Sequence, residues 1–454
     1  MPARTNACAI CRKKRIKCDA TLPQCLMCIK FGRKCPGPSN GPIIVDMTSA
    51  LATGQKRNKS AKKDSMRFTF EGLTAGIVSP MRVQISQRHV LNEAFYANFM
   101  AYFTTTGEAN DIRNQQTWLH RLPDFAADGS NQALDLAVQA TASAFSFAKT
   151  RHVPLMQDAC QLYGRALNQH SHTLRQKKRI TVHTVSTSVL LSIFEAMHTT
   201  TGTAYRQHIS GAAELVKLAG PEECWMGILC QIFFHIRVQM AFVYLTTGQE
   251  DKTSVCAEEI LHETLTYWSV PVFQRLIGHI VRLTALYLGL EDGEDKHAPD
   301  LLDLGEYTSI KAEVDALWLE YNLDAQQRGG PLCWTNAHGV TGYRDPYTAL
   351  CVAYFASARA LFGVLAPSLA ASYVDATDYY QQILDIAEHL ATIKIGCAFM
   401  RMATPLYLVA MHARRKEQRE IAIGIFERWK VIGLGGISAL ALERIYQRRR
   451  SYSV

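Results

Sequence analysis

The sequence predicts a mostly α-helical protein in three parts: a small N-terminal cysteine module over residues 1–35, a flexible basic linker over 36–83 and a large all-α domain over 84–454. Six cysteines stand at a repeated spacing at the start of the chain. The next stretch is rich in Pro, Gly and Lys, and the remainder carries apolar residues at helical intervals. The hydrophobic content of 48% and the charged content of 20% are typical of a folded soluble protein.

The cysteine module repeats one spacing, Cys-x₂-Cys-x₆-Cys, in two halves that a six-residue connector joins. The cysteines are Cys8, Cys11, Cys18, Cys25, Cys28 and Cys35. Zinc prefers four tetrahedral ligands, and thiolates suit it. Six thiolates serve two such ions only if two thiolates bridge both ions; the alternative is one ion with two spare thiols. The repeated spacing favours two ions, and we expect both to be structural, because so short a module cannot build a hydrophobic core.

Charge is concentrated at the N-terminal end. Residues 1–67 hold 15 Lys and Arg against three Asp, a formal charge of +12. Since the whole chain carries +9, the remainder is close to −3. A basic N-terminal segment followed by a slightly acidic remainder predicts a module that binds polyanions, attached to an ordinary globular domain.

The compartment is expected to be reducing. No apolar segment of the secretory type precedes the cysteines. The most apolar stretch, residues 226–245, carries Gln231, His235, Arg237 and Gln239 at helical intervals, which favours a core helix over a membrane span. We therefore expect no membrane partner, and thiols that hold metal rather than form disulfides.

The module resembles the fungal binuclear zinc cluster (Zn₂Cys₆) transcription regulators. The similarity lies in the stretch C-A-I-C-R-K-K-R-I-K-C-D over residues 8–19, in P-Q-C over 23–25 and in C-I-K-F-G-R-K-C over 28–35. It implies that Cys8 and Cys25 bridge the ions and that Pro23 turns the connecting loop, as a cis peptide. The remaining ligands would be Cys11 and Cys18 on one ion, and Cys28 and Cys35 on the other.

The resemblance also implies two short helices, each opened by a Cys-x₂-Cys pair. The first would carry the basic run 12–17 outwards into the DNA major groove. In the family a basic residue in the middle of this run reads a CGG triplet, and that position aligns with Arg15, with Lys14 beside it. Arginine can donate two hydrogen bonds to guanine, worth roughly 1–3 kcal/mol of discrimination. Arg12, Lys13 and Lys17 are assigned to phosphates. The alternative is a solvated face or a nuclear-import signal.

The linker has a second basic cluster over residues 56–63. It is interpreted as a nuclear-import signal, as additional phosphate contacts, or as a merely solvated stretch. No heptad run occurs in the linker or just after it, so no coiled coil is predicted. This leaves either a monomer on one triplet or a homodimer formed through the helical domain.

The body is predicted to be all-α, with irregular loops near 106–117, 291–305 and 322–346 and no strand of useful length. The predicted helical runs are 91–102, 157–174, 190–197, 209–216, 227–245, 270–288, 348–365, 375–390, 404–415 and 419–446. The body also resembles the helical regulatory domain that follows the zinc cluster in many of these regulators. The similar segments are 122–123, 163–167, 190–195, 208–215 and 405–407.

The body offers no catalytic signature, since His-Glu-x-x-His, Gly-Lys-Ser/Thr and Gly-x-Ser-x-Gly are all absent from the sequence. His208 is interpreted as a packing residue. The seven remaining cysteines show no ligand spacing and are expected to be buried small hydrophobes. An acidic stretch over 291–306 is expected either to recruit the transcription machinery or to form a solvated loop.

These observations predict a nuclear, sequence-specific regulator of RNA polymerase II transcription. Its partners would be double-stranded DNA and the transcription machinery, its cofactors two structural Zn²⁺, and it would not be an enzyme. One alternative is an interaction protein whose zinc module acts on another regulator without specific DNA binding. The other is an enzyme with an N-terminal zinc module, which would need convergent catalytic groups in the body.

Overall fold

The computed structural model describes most of the body and most of the cysteine module. The described residues are 8–14, 16–19, 21, 24–33, 35, 85–103, 118–126, 129–176, 179–199, 203–220, 224, 227–248, 270–292, 303–327, 329–337, 341–366, 378–393 and 396–451. The chain divides into two units, Met1–Arg82 and Val83–Val454. The predicted linker, 36–83, lies outside the described residues, and the predicted domain boundaries stay a prediction.

The prediction of a mostly helical protein is confirmed. The first unit contains α1 (Ala9–Lys14) and α2 (Leu26–Lys30). The helices of the second unit are α3 (Ile85–Phe103), α4 (Trp118–Ala126), α5 (Gln132–Thr150), α6 (Val153–Arg175), α7 (Val182–Met197), α8 (Ala204–Ala219), α9 (Gly227–Thr247), α10 (Val272–Asp292), α11 (Leu304–Gln327), α12 (Pro346–Leu365), α13 (Tyr379–Ile393), α14 (Gly396–His412), α15 (Lys416–Ile432) and α16 (Gly435–Ser451).

The core of the body is built around α9 and α12, which are buried along most of their length. Helix α9 packs on α7, α8, α10, α14 and α16, and α12 packs on α10, α11, α13 and α14. Both helices are long and apolar enough to cross a membrane, but 78% and 83% of their most apolar windows are buried inside the body. They are core helices, as the sequence predicted for residues 226–245.

Local sequence sets several helix ends. The Asn131 side chain accepts a hydrogen bond of 3.0 Å from the Leu134 amide at the start of α5, and Asp345 accepts one of 2.8 Å from the Thr348 amide at the start of α12. Such caps satisfy amides that have no partner within the helix. Helix α8 ends at Gly220, whose φ of 90° favours glycine.

The prediction of one helix over 419–446 is wrong. The chain breaks at Gly433, which has a φ of 98°, and α16 starts at Gly435. The break lets α16 approach α7 very closely. A Cβ on Gly436 would lie 2.0 Å from the carbonyl oxygen of Glu195, so only glycine fits there. Helix α15 therefore ends at Gly433, whose left-handed backbone conformation cannot continue an α-helix.

The predicted loop over 322–346 is also wrong in part. Helix α11 extends to Gln327, and a short antiparallel hairpin of β1 (Cys333–Thr335) and β2 (Thr341–Tyr343) follows. This hairpin is a small addition to the all-α body that the sequence predicted. The register pairs Cys333 with Tyr343, Trp334 with Gly342 and Thr335 with Thr341. Three-residue strands are too short to show an alternating pattern. Of the other predicted loops, 106–117 lies outside the described residues and 291–305 is shortened by α10 and α11.

Candidate zinc centre and nucleic-acid interface

The structure brings the six N-terminal cysteines into one cluster. Their Sγ atoms form two groups of four, and within each group all sulfurs lie within 4.8 Å of one another. One group is Cys8, Cys11, Cys18 and Cys25; the other is Cys8, Cys25, Cys28 and Cys35. The two groups share Cys8 and Cys25. This geometry has the form that two ions with two bridging thiolates require.

The sulfur separations fit zinc. The Sγ atoms of Cys8 and Cys25 are 3.7 Å apart, those of Cys11 and Cys25 are 3.7 Å apart, and those of Cys25 and Cys35 are 3.8 Å apart. A tetrahedron with Zn–S bonds of about 2.3 Å has sulfur–sulfur edges of about 3.8 Å. The donor set is therefore matched to tetrahedral Zn²⁺ in both chemistry and spacing.

The starts of the two short helices face the sulfurs. The Cys11 amide donates a hydrogen bond of 3.4 Å to Cys8 Sγ at the start of α1, and the Cys28 amide donates one of 3.4 Å to Cys25 Sγ at the start of α2. Amide donors disperse negative charge from the two sulfurs that both groups share. The Cys-x₂-Cys spacing thus places the second cysteine one helical turn after the first and aims its amide at the cluster.

A turn after each helix brings the third cysteine of each half back to the sulfur cluster. The Ile16 amide donates to the Cys11 carbonyl over 3.1 Å as the chain leaves α1. After α2 the Arg33 amide donates to the Cys28 carbonyl over 2.9 Å. Gly32, with a φ of 63°, supplies the left-handed residue of this second turn. Cys18 and Cys35 therefore reach the cluster because the backbone doubles back within a few residues.

Burial of Cys11, Cys25 and Cys28 favours the protonated form of these three thiols. Burial raises the pKa of the Cys11 thiol to about 12, and its hydrogen bond with the Cys8 thiol adds to the rise. Burial also raises the pKa of Cys25 and Cys28. A cation must therefore displace these protons, and its charge stabilises the thiolates that burial alone would not.

Asp19 is a structural residue to which the sequence interpretation assigned no role. Its carboxylate accepts hydrogen bonds from the Leu26 amide over 3.0 Å and from the Met27 amide over 3.3 Å, and the Thr21 hydroxyl also donates to it. These hydrogen bonds, that of Thr21 first, hold the pKa of Asp19 below its usual range. A residue of the first half thus caps α2 in the second half. In the sequence, the only indication of this role is an Asp seven residues before the start of a helix. That spacing is too common to predict a cap.

The basic run begins on α1. Lys14, the last residue of α1, and Lys17, just after it, have exposed side chains. The backbone of Arg12 and Lys13 belongs to α1, while their side chains and the whole of Arg15 lie outside the described residues. Two of the five predicted DNA-contact side chains are therefore seen, and both face solvent next to the sulfur cluster.

Other residues singled out in the sequence have structural surroundings. His208 Nε2 lies 2.7 Å from the Tyr163 hydroxyl, and burial lowers the pKa of this histidine to about 4. The expectation that the remaining cysteines are buried is wrong for Cys160, which is exposed, and for Cys333, which is half-buried. In the acidic stretch, Glu306 forms an ion pair of 2.7 Å with Arg282 on α10, which favours a structural role for this residue.

Comparison with known proteins agrees with this geometry. Residues 6–39 match the family model of the fungal Zn(2)-Cys(6) binuclear cluster domain. No curated protein and no solved structure matches the chain. The matched domain belongs to transcription factors and is not a catalytic one. The N-terminal segment is therefore a Zn(2)-Cys(6) binuclear cluster domain that binds two zinc ions, and the chain that carries it is a DNA-binding regulator of transcription.

Proposed function

We propose that the protein reads CGG-type triplets in the DNA major groove and regulates RNA polymerase II transcription in the nucleus. The observation that carries this proposal is the pair of four-sulfur groups sharing Cys8 and Cys25, from which α1 leads directly into a basic run. A helix held at its start by two metal ligands is a rigid carrier for the side chains at its other end.

The proposed ligand assignment follows the two groups. Cys8 and Cys25 bridge the ions; Cys11 and Cys18 complete one ion, and Cys28 and Cys35 complete the other. Six thiolates and two Zn²⁺ leave the cluster with a net charge of −2, which the amides of α1 and α2 and the basic run partly offset. The zinc ions hold the fold of the domain and take no part in any chemical step.

In the proposed interface, some side chains contact the bases and others contact the phosphates. Arg15, the residue aligned with the base-reading position, donates to guanine O6 and N7, and Lys14 beside it supports this contact. Arg12, Lys13 and Lys17 bind phosphates and set the position of α1 on the duplex. The exposed side chains of Lys14 and Lys17 are consistent with these roles. Phosphate contacts should also make binding strongly dependent on salt.

The test uses the full-length, zinc-loaded protein and two duplexes, one with a CGG triplet and one with the triplet scrambled. Arg15→Ala should weaken binding to the CGG duplex by about 1–3 kcal/mol and leave the scrambled duplex nearly unaffected. Lys17→Ala should weaken both duplexes alike. Lys30→Ala, an exposed lysine on α2, is the matched control and should change neither.

Equal losses on both duplexes for Arg15→Ala would remove the base-reading role. Selection of bound sequences from random DNA extends the test. One enriched triplet indicates a monomer, and two triplets at a fixed spacing indicate a homodimer paired through the helical body. No enrichment at all would favour an interaction protein without specific DNA binding of its own.

A further inference from the structure

The helical body contains a cavity of about 580 Å³ that none of the zinc or DNA residues line. It opens between α13 and α15, and side chains of α3, α5 and α14 complete its walls. This volume lies inside the range of roughly 300–1,000 Å³ that is usual for small-molecule sites.

The floor of the cavity is apolar and buried. Leu384 and Ala387 on α13, Met402 on α14 and Trp429 on α15 line it, with exposed fractions between 0% and 7%. Ile421 stands at the mouth with 48% of its surface exposed. Apolar side chains therefore run from the buried floor to the solvent. Covering them with an apolar molecule would remove this surface from water, which favours binding.

The rim of the cavity carries charges of both signs. Lys149 and Arg428 are the cations and Asp385 and Glu388 the anions, so the formal charges cancel. The Lys149 ammonium lies 4.3 Å from the centroid of the Tyr102 ring, a cation–π contact. The Asp385 carboxylate accepts a hydrogen bond of 2.8 Å from the side-chain Nε2 of Gln381. The rim as a whole carries no net charge, so it favours neither an anionic nor a cationic ligand overall.

We propose that this cavity binds an uncharged, largely apolar organic molecule of drug size. The apolar part of the ligand lies against Leu384, Met402 and Trp429, and its polar atoms remain at the rim, where Lys149 and Arg428 can donate hydrogen bonds. The site lies wholly within the body. It does not depend on the proposed reading of DNA, and failure of either proposal leaves the other standing.

The test is a titration of the zinc-loaded full-length protein with Nile red, a neutral fluorophore of this size class. We expect saturable binding at one dye per chain and little change with salt, because the ligand is uncharged. Ala391 is exposed and lines the mouth, so Ala391→Phe should obstruct it without disturbing the core. We expect this substitution to weaken dye binding at least about tenfold.

The matched control is Ala312→Phe, which places the same aromatic side chain at an exposed alanine of α11, away from the cavity. It should bind the dye like the unchanged protein. Thermal melting of both variants checks that they fold. The proposal is overturned if dye binding does not saturate, or if the folded Ala391→Phe variant binds as well as the control. Tighter binding of the anionic dye anilinonaphthalene sulfonate than of Nile red would overturn the assignment to uncharged ligands.

Discussion

Replacing Gly436 with alanine should destabilise the body severely. The added Cβ would lie 2.0 Å from the carbonyl oxygen of Glu195, 2.9 Å from its carbonyl carbon and 3.2 Å from the Ala196 Cα. All three are backbone atoms of a buried helix, so no side chain can swing aside. An ordinary carbon–oxygen contact is about 3.3 Å or more, so α16 must move away from α7 by roughly 1.3 Å.

Such a movement separates a well-packed interface. The surroundings of Gly436 include Glu195, Ile437 and Ser438, each with an exposed fraction of 0%. Forcing extra volume into a well-packed core usually costs about 1–3 kcal/mol, and rigid backbone on the opposing side puts the cost at the upper end of this range or above it. The expected result is a lower midpoint of urea unfolding with an unchanged slope.

The assay compares Gly436→Ala with Gly435→Ala in the full-length protein. The neighbouring glycine lies on the same helix, and its Cβ would meet nothing closer than 3.5 Å, an ordinary contact. Gly435→Ala should therefore change stability by no more than about 1 kcal/mol. If both variants unfold at the same urea concentration, the close approach of α7 and α16 does not exist.

Two further predictions concern the zinc domain. Chelation by EDTA should unfold it, because metal ligation replaces a core; retained helicity of a 1–40 peptide in EDTA would contradict this. Asp19→Ala should weaken zinc retention roughly tenfold in competition with a chromophoric chelator, because α2 loses its cap, and Asp19→Asn should recover part of the loss. Because the pKa of Asp19 is lowered, its contribution to zinc retention should be complete above its ordinary pKa near 3.9 and should disappear as the pH falls through the acid range. Equal zinc retention at neutral pH by Asp19→Ala and the unchanged chain would refute this role.

The sequence was sufficient to predict a zinc-binding cysteine module. Cysteine spacing is a local property, and two residues between cysteines form one helical turn, which is how Cys8 with Cys11 and Cys25 with Cys28 meet. The contribution of Asp19 could not be derived in the same way. Its hydrogen bonds to α2 exist only because the two halves of the domain fold against each other.

The helices that the sequence missed had a weak apolar pattern for physical reasons. Helix α5 buries Thr141 and Ser146, whose hydroxyls donate to the carbonyls of Ala137 and Ala142 in the preceding turn over 2.7 Å and 2.9 Å. Polar residues satisfied in this way can be buried, and the hydrophobic periodicity then understates the core face. Helix α11 differs in the opposite way, because it has apolar residues outside its core face. Leu319 and Leu323 are exposed, and they make the apolar periodicity of this helix less clear.

By itself the sequence determined the six-cysteine array and the helical character of the body and favoured two zinc ions over one, because spacing and periodicity act over a few neighbouring residues. Only the tertiary structure decided that α16 is separate from α15, that Asp19 caps α2, and that α13 and α15 enclose a cavity. Each of these depends on groups that are distant along the chain, such as Gly436 and Glu195, and contact between them arises only when the helices pack.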